Sequence, residues 1–352
     1  MFETDLDRLL AVRSVPTMRP MAPPVPALVA IADTNVLARQ ACRGSVGGEV
    51  GIVAALAGTG RSNIFAGAHV PGELAEHLVE VAASTGADAG AADRRLWDEI
   101  MPSIPIVDVS IGDCLTPRAR QLLVTDRALP RSMRGDPDDI ETVAVAELLA
   151  PAVILSADSV FARHGMASTV VDWVAAAHSL MRAAGLEATY ADAAFAVELG
   201  ARLLFFGVAE GVRLAARFPL PALAIAALFA YLAWRYKVVD RDRLRAGARR
   251  LGTAAESMAE LVNTATGEWN LAREAIFVVE PSGQPTVEQL AARHLARRGR
   301  ALSPSDLRDE LRHAGNSVPA AVLRRAMRAH PAFVRLPGDL YVVGCVATKP
   351  VG

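Results

Sequence analysis

The chain has 352 residues, 52% of them apolar and 21% charged, with a formal net charge of −1. That composition excludes a disordered chain and leaves room for two or three domains. The charge is unevenly spread: residues 1–165 carry 21 Asp and Glu against 14 Lys and Arg, whereas residues 281–345 carry 5 against 10, so an acidic front and a basic back face different partners. Three scattered cysteines, Cys42, Cys114 and Cys345, form no zinc-type spacing and no disulfide frame, which favours a reducing compartment. The acidic N-terminus lacks the pattern of a secretory signal.

Residues 1–26 end in a Pro-rich run that suits neither helix nor sheet interior and read as a lead-in. The apolar run 27–37 (ALVAIADTNVL) predicts a β-strand closed by Asp33-Thr34-Asn35 and followed by helix, which residues 38–48 interrupt as an insertion. A helix over 47–58, a strand over 63–70 and a helix over 71–84 with Pro71 in its first turn come next. Further strands are expected at 104–110 and 152–156, with helices at 116–124 and 135–149 between them. Strands alternating with helices predict an α/β domain, a parallel sheet covered on both faces. In such sheets the carboxyl ends of the strands form the binding edge. Asp33 and Asp158 fall at strand ends, and Glu73 and Asp139 in the first turns of helices that start near that edge. Four acids from distant positions then converge.

A cluster of carboxylates repels itself unless a cation is present, and hard ions such as Mg²⁺ and Mn²⁺ prefer oxygen donors. The pattern therefore points to metal-assisted chemistry on an anionic substrate more than to acid–base catalysis. Ala32-Asp33-Thr34-Asn35-Val36-Leu37 resembles the opening motif of PIN-domain nucleases. Pro71-Gly72-Glu73-Leu74 is similar to that family's second acidic motif, Asp136-Pro137-Asp138-Asp139 with Val143–Ala146 to its third, and Leu155-Ser156-Ala157-Asp158 to its fourth. The four motifs occur in the family's order and cover about the first half of the chain. The resemblance implies a PIN-like fold and a metal-dependent endoribonuclease with Asp33, Glu73, Asp139 and Asp158 as ligands for Mg²⁺ or Mn²⁺. It implies Thr34 or Asn35 as supports of the first acid, Ser156 as the residue that orients the fourth, and Asp138 as a helix cap. It further implies RNA as substrate, cut by in-line attack of water to leave a 3′-hydroxyl and a 5′-phosphate. A second copy of the chain and an inhibitor protein are partners consistent with it. Gly58-Thr59-Gly60 lacks the lysine of a phosphate-binding loop and reads as a turn. His69 lies near Glu73, and a histidine in a strand is more often structural.

Residues 167–215 predict Ala-rich helix. Residues 218–234 are uncharged, at the short limit for a membrane-spanning helix, and read equally as a membrane anchor through 218–235 or as a buried connector helix. Cytoplasmic location, with or without membrane association, follows from the two readings. The last segment predicts three helices (286–298, 303–314 and 318–330) and a hairpin turning at Pro337-Gly338-Asp339. It resembles winged helix–turn–helix domains of the HARE type. The resemblance makes Arg324, Arg325 and Arg328 on the third helix, with Arg335 in the wing, contacts to nucleic acid, the alternative being a protein-binding module. The expected organisation is thus a lead-in (1–26), a PIN-like domain (27–185), a helical connector (186–280) and a small winged-helix domain (281–346). A non-catalytic nucleic-acid-binding or membrane-tethered regulator is the alternative to the ribonuclease.

Overall fold

The computed structural model describes residues 11–12, 28–47, 50–125, 128, 130, 134–206 and 241–350. Residues 218–234 and most of the lead-in lie outside them. Among the described residues no helix is long and apolar enough to cross a membrane. The described residues form two compact units: one holds those of 11–12, 28–181 and 271–350, the other those of 182–206 and 241–270.

The first unit is α/β. Strand β1 (Leu28–Ala32) is buried along its whole length, as an apolar run in a doubly covered parallel sheet should be. It lies between β2 (Ser62–Gly67) and β4 (Val153–Leu155), both parallel to it; β3 (Pro105–Val107) continues the sheet beyond β2. The registers Ile31↔Phe65, Gly67↔Val107 and Ala32↔Leu155 bring the four carboxyl ends to one edge. The sheet gains a fifth strand from the far end of the chain: β7 (Cys345–Val346) pairs antiparallel with β3. The sheet is therefore mixed, mostly parallel, rather than wholly parallel as expected.

Helix α1 (Thr34–Gly47) leaves the end of β1 and runs unbroken through residues 38–47, where an insertion was expected. Leu37, Ala38, Ala41 and Cys42 are all buried, and their i, i+4 spacing puts them on one face. Packing of that face outweighs the helix-weakening glycines near its end. Helix α2 (Ile52–Gly58) precedes β2, and α3 (Val70–Thr85) follows it, starting at the proline and stopping at Gly86 in the left-handed conformation. After α4 (Ala89–Arg95) and β3 come the short helices α5 (Ile111–Cys114) and α6 (Pro117–Arg120). Helix α7 (Ile140–Leu149) is buried at every position from Thr142 onward, the mark of a helix with protein on all sides. Past β4, Asp158 caps the short α8 (Ser159–Arg163), and α9 (Val170–Phe206) begins; its Trp173 donates from the indole nitrogen to the Ser156 carbonyl at 3.0 Å.

In the second unit, the later part of α9 and the earlier part of α10 (Arg241–Ala275) are joined by an Arg182–Glu268 ion pair of 2.8 Å. Both partners are well exposed, so its contribution is small.

The C-terminal segment belongs to the first unit. Helix α11 (Val287–Arg298) opens with a capping box between Thr286 and Gln289; α12 (Pro304–His313) is capped by Ser303; α13 (Ala320–Ala329) follows, then the hairpin of β5 (Phe333–Leu336) and β6 (Leu340–Val343). Leu307, Leu323, Met327, Phe333 and Tyr341 share one apolar cluster with Ile31, Phe65, Ile154 and the α7 residues Val143 and Val145. Polar contacts fix the same interface. Asn63 donates to the Ala296 carbonyl at 2.5 Å, and Arg293 to the Glu147 carbonyl at 3.0 Å. Gly344 makes the strand junction possible: its φ is 75°, and a Cβ there would stand 2.9 Å from the Ile106 carbonyl oxygen.

Candidate active site

The sheet edge explains the placement of the acids. Asp33 is the first residue past β1, and its N–H completes the ladder by donating to the Leu155 carbonyl at 3.1 Å. Its side chain is turned inward and is only 4% exposed. Three donors hold it: the Thr34 N–H (2.8 Å) on Oδ1, and Asn35 Nδ2 (2.8 Å) and the Ser156 hydroxyl (2.6 Å) on Oδ2. Burial nonetheless pushes its carboxyl up to about 6; the Ser156 and Thr34 bonds and the His69 side chain pull it down, and Glu73 pushes it up.

Asn35 donates to the first acid and also ties two motifs together, accepting the Ala157 N–H at 2.9 Å. Thr34 divides its work: its N–H serves Asp33, while its hydroxyl donates to Glu73 Oε2 at 2.5 Å. Ser156 accepts the Asp158 N–H at 2.9 Å while donating to Asp33, so its hydroxyl aligns the first acid and the backbone of the fourth. Asp158 accepts the Val160 N–H at 2.8 Å as the cap of α8.

Asp139 stands apart in its chemistry. It immediately precedes α7, makes no capping bond, and its Oδ2 is buried with no hydrogen-bond partner among the described residues. Burial raises its carboxyl to about 8, and the charges of Asp33, Asp136, Asp158 and Glu73 push in the same direction. The other three expected ligands all act on this one carboxyl. Asp138 is not a cap. The capping side chain is that of Asp136, which accepts the Asp138 N–H at 3.1 Å, because Asp136 immediately precedes the 3-10 turn Pro137–Asp139 that leads into α7.

Two residues that the sequence motifs do not single out stand beside the acids. Glu141, in the first turn of α7, lies 3.0 Å from His69 Nδ1 and accepts the His69 N–H; Thr142 lies 3.2 Å from His69 Nε2. His69 sits at the start of α3, four residues before Glu73, rather than in a strand. Its ring lies so close to Gly67 that a Cβ there would be 2.5 Å away. The ring thus joins the end of β2, α3 and α7. Only the nearness of His69 to Glu73 along the chain was legible beforehand; its place at the start of α3 and the partnership with Glu141 need the fold.

The donor set is all oxygen and anionic, the chemistry a divalent cation of the Mg²⁺ type prefers, and the unpartnered Asp139 oxygen fits such an ion. As the side chains stand, Asp33 and Glu73 are satisfied by protein donors, and among the described residues no three His, Cys, Asp or Glu side chains form a ready metal-holding group. A cavity of about 590 Å³ between β2, β3, α11 and β6 includes none of the four acids in its lining.

The expected nucleic-acid residues are also placed. Arg324, Arg328 and Arg335 gather on Asp339, at 2.9, 3.6 and 3.2 Å. Arg325 is exposed on the same helix. Comparison with protein-family models, with curated proteins and with solved structures found no match to this chain.

Proposed function

We propose that this protein is a metal-dependent endoribonuclease of the PIN type, with Asp33, Glu73, Asp139 and Asp158 as the carboxylates that would hold Mg²⁺ or Mn²⁺. The observation that carries this reading is the buried, unpartnered oxygen of Asp139, at a sheet edge where three further acids raise its proton affinity. When bound, the ion would activate water and neutralise charge building on the phosphate. The chain's own residues hold the first acid rigid: Ser156, Asn35 and the Thr34 N–H leave Asp33 one orientation. The Thr34 hydroxyl fixes Glu73, and Ser156 sets the Asp158 backbone.

The four parallel strands with acids at their carboxyl ends support the PIN resemblance, and the three helices with a hairpin support the winged-helix one. In this reading the C-terminal arginines bring the RNA backbone to the same compact unit that carries the acids, by counterion release. A non-catalytic regulator that binds nucleic acid is the second reading, favoured by the protein donors that already satisfy Asp33 and Glu73.

The test uses the full chain with labelled single-stranded RNA and DNA, Mn²⁺ or EDTA, and Asp33→Asn alongside. Cleavage of RNA with Mn²⁺, lost in EDTA and reduced at least about 100-fold in Asp33→Asn, is expected. Undiminished cleavage by that variant would refute the site, and no cleavage of either substrate would favour the regulator.

A further inference from the structure

The hairpin turn carries a carboxylate that the turn does not need. Asp339 has φ 58°, the one non-glycine residue with positive φ among the described residues, and it follows Gly338 at φ 81°. Glycine or asparagine would satisfy that backbone equally well. What the carboxylate does is collect cations. Arg324 Nε donates to Oδ2 at 2.9 Å, while Arg335 Nη2 at 3.2 Å and Arg328 Nη2 at 3.6 Å face Oδ1. The Tyr341 hydroxyl donates to Oδ1 at 3.2 Å, and Arg328 Nε donates to that hydroxyl oxygen at 3.2 Å.

Three guanidinium groups from two elements and one hydroxyl thus converge on one anion. One negative charge cannot neutralise three positive ones, and Arg325 adds another on the same helix. The arginine side chains are 43, 51 and 55% exposed and Asp339 is 27% exposed, so the cluster opens to solvent. A phosphodiester carries the same single charge on two free oxygens as a carboxylate, and guanidinium forks match both.

We propose that Arg324, Arg328 and Arg335 form a backbone-phosphate site for nucleic acid in which Asp339, anchored from the core side by the buried Tyr341, is a built-in competitor, displaced when the ligand binds. The proposal rests on the reading of the C-terminal segment as a nucleic-acid contact. Asp339 weakens sequence-independent binding, so that the site fills only when other contacts help to hold the strand.

The experiment is fluorescence anisotropy of the full chain with a fluorescein-labelled 20-nucleotide oligouridylate, in EDTA, across a salt series. Asp339→Asn removes the charge and keeps a side chain that tolerates the left-handed conformation. It should bind about threefold more tightly at low salt, the effect of one unit charge about 6 Å away in water. Asp339→Gly should do the same, which separates the charge effect from any fault in the turn. Arg335→Ala should weaken binding and flatten the slope of log affinity against log salt by about 0.7. Salt-dependent binding by the wild type with no gain in either Asp339 variant overturns the competitor, leaving Asp339 as an organiser of the arginines. Absence of binding by wild type and both variants overturns the nucleic-acid reading itself.

Discussion

Replacing Asp139 by Asn should stabilise the protein in a pH-dependent way. Burial and the neighbouring acids raise this carboxyl from 3.8 to about 8, so the folded state binds the proton more tightly than the unfolded chain does. The stability that the proton supplies is complete below about pH 4 and is lost as pH rises through 8. At pH 7 the wild-type penalty is bounded by three pKa units, roughly 4 kcal/mol. Relaxation of the acids and water entry reduce this, and about 2 kcal/mol is the expected gain for Asp139→Asn at pH 8 in EDTA. For a unit of this size that is a rise in Tm of about 4–8 °C, shrinking to nothing near pH 4. Mn²⁺ should reverse the ranking at pH 8, because it stabilises the wild type by mass action and the variant less. Differential scanning calorimetry at both pH values, with EDTA and then Mn²⁺, measures all four arms. A variant no more stable than the wild type at pH 8 in EDTA would refute the claim that Asp139 is held in an unfavourable, ion-ready environment.

Ser156→Ala removes a donor to buried Asp33 and an acceptor for the Asp158 N–H, so it should cost about 1.5–3 kcal/mol by urea denaturation. The loss should be larger at pH 8 than at pH 5, because Asp33 is ionised only above about 6; an equal loss at both would show that the bond does not serve the charged form. Leu323→Ala, in α13, should cost about 2–5 kcal/mol and shift the unfolding of the first unit as a whole. A separate low-temperature transition for the C-terminal helices would show that their core is independent of the sheet.

Much of the local structure was written in short-range signals. The apolar run of β1, Pro71 at the head of α3, the capping residues Thr286 and Ser303, and the Pro337-Gly338-Asp339 turn each act within a few residues, so periodicity and turn chemistry reveal them. The four acids were legible for the same reason: each follows a strand or opens a helix. What only the tertiary structure decided is which groups meet. The continuity of α1 depends on its buried face, which outweighs glycines that read as a break. Glu141 reaches His69 across 72 residues, and β7 closes on β3 from the far end of the chain. Asp139 differs from its fellow acids because the fold buries it among them and leaves its Oδ2 without a donor. Backbone preferences are set by neighbours in the chain, whereas burial, charge repulsion and unpaired hydrogen-bonding groups are properties of packing, and so the chemistry of this edge becomes visible only once the sheet and the C-terminal helices share one core.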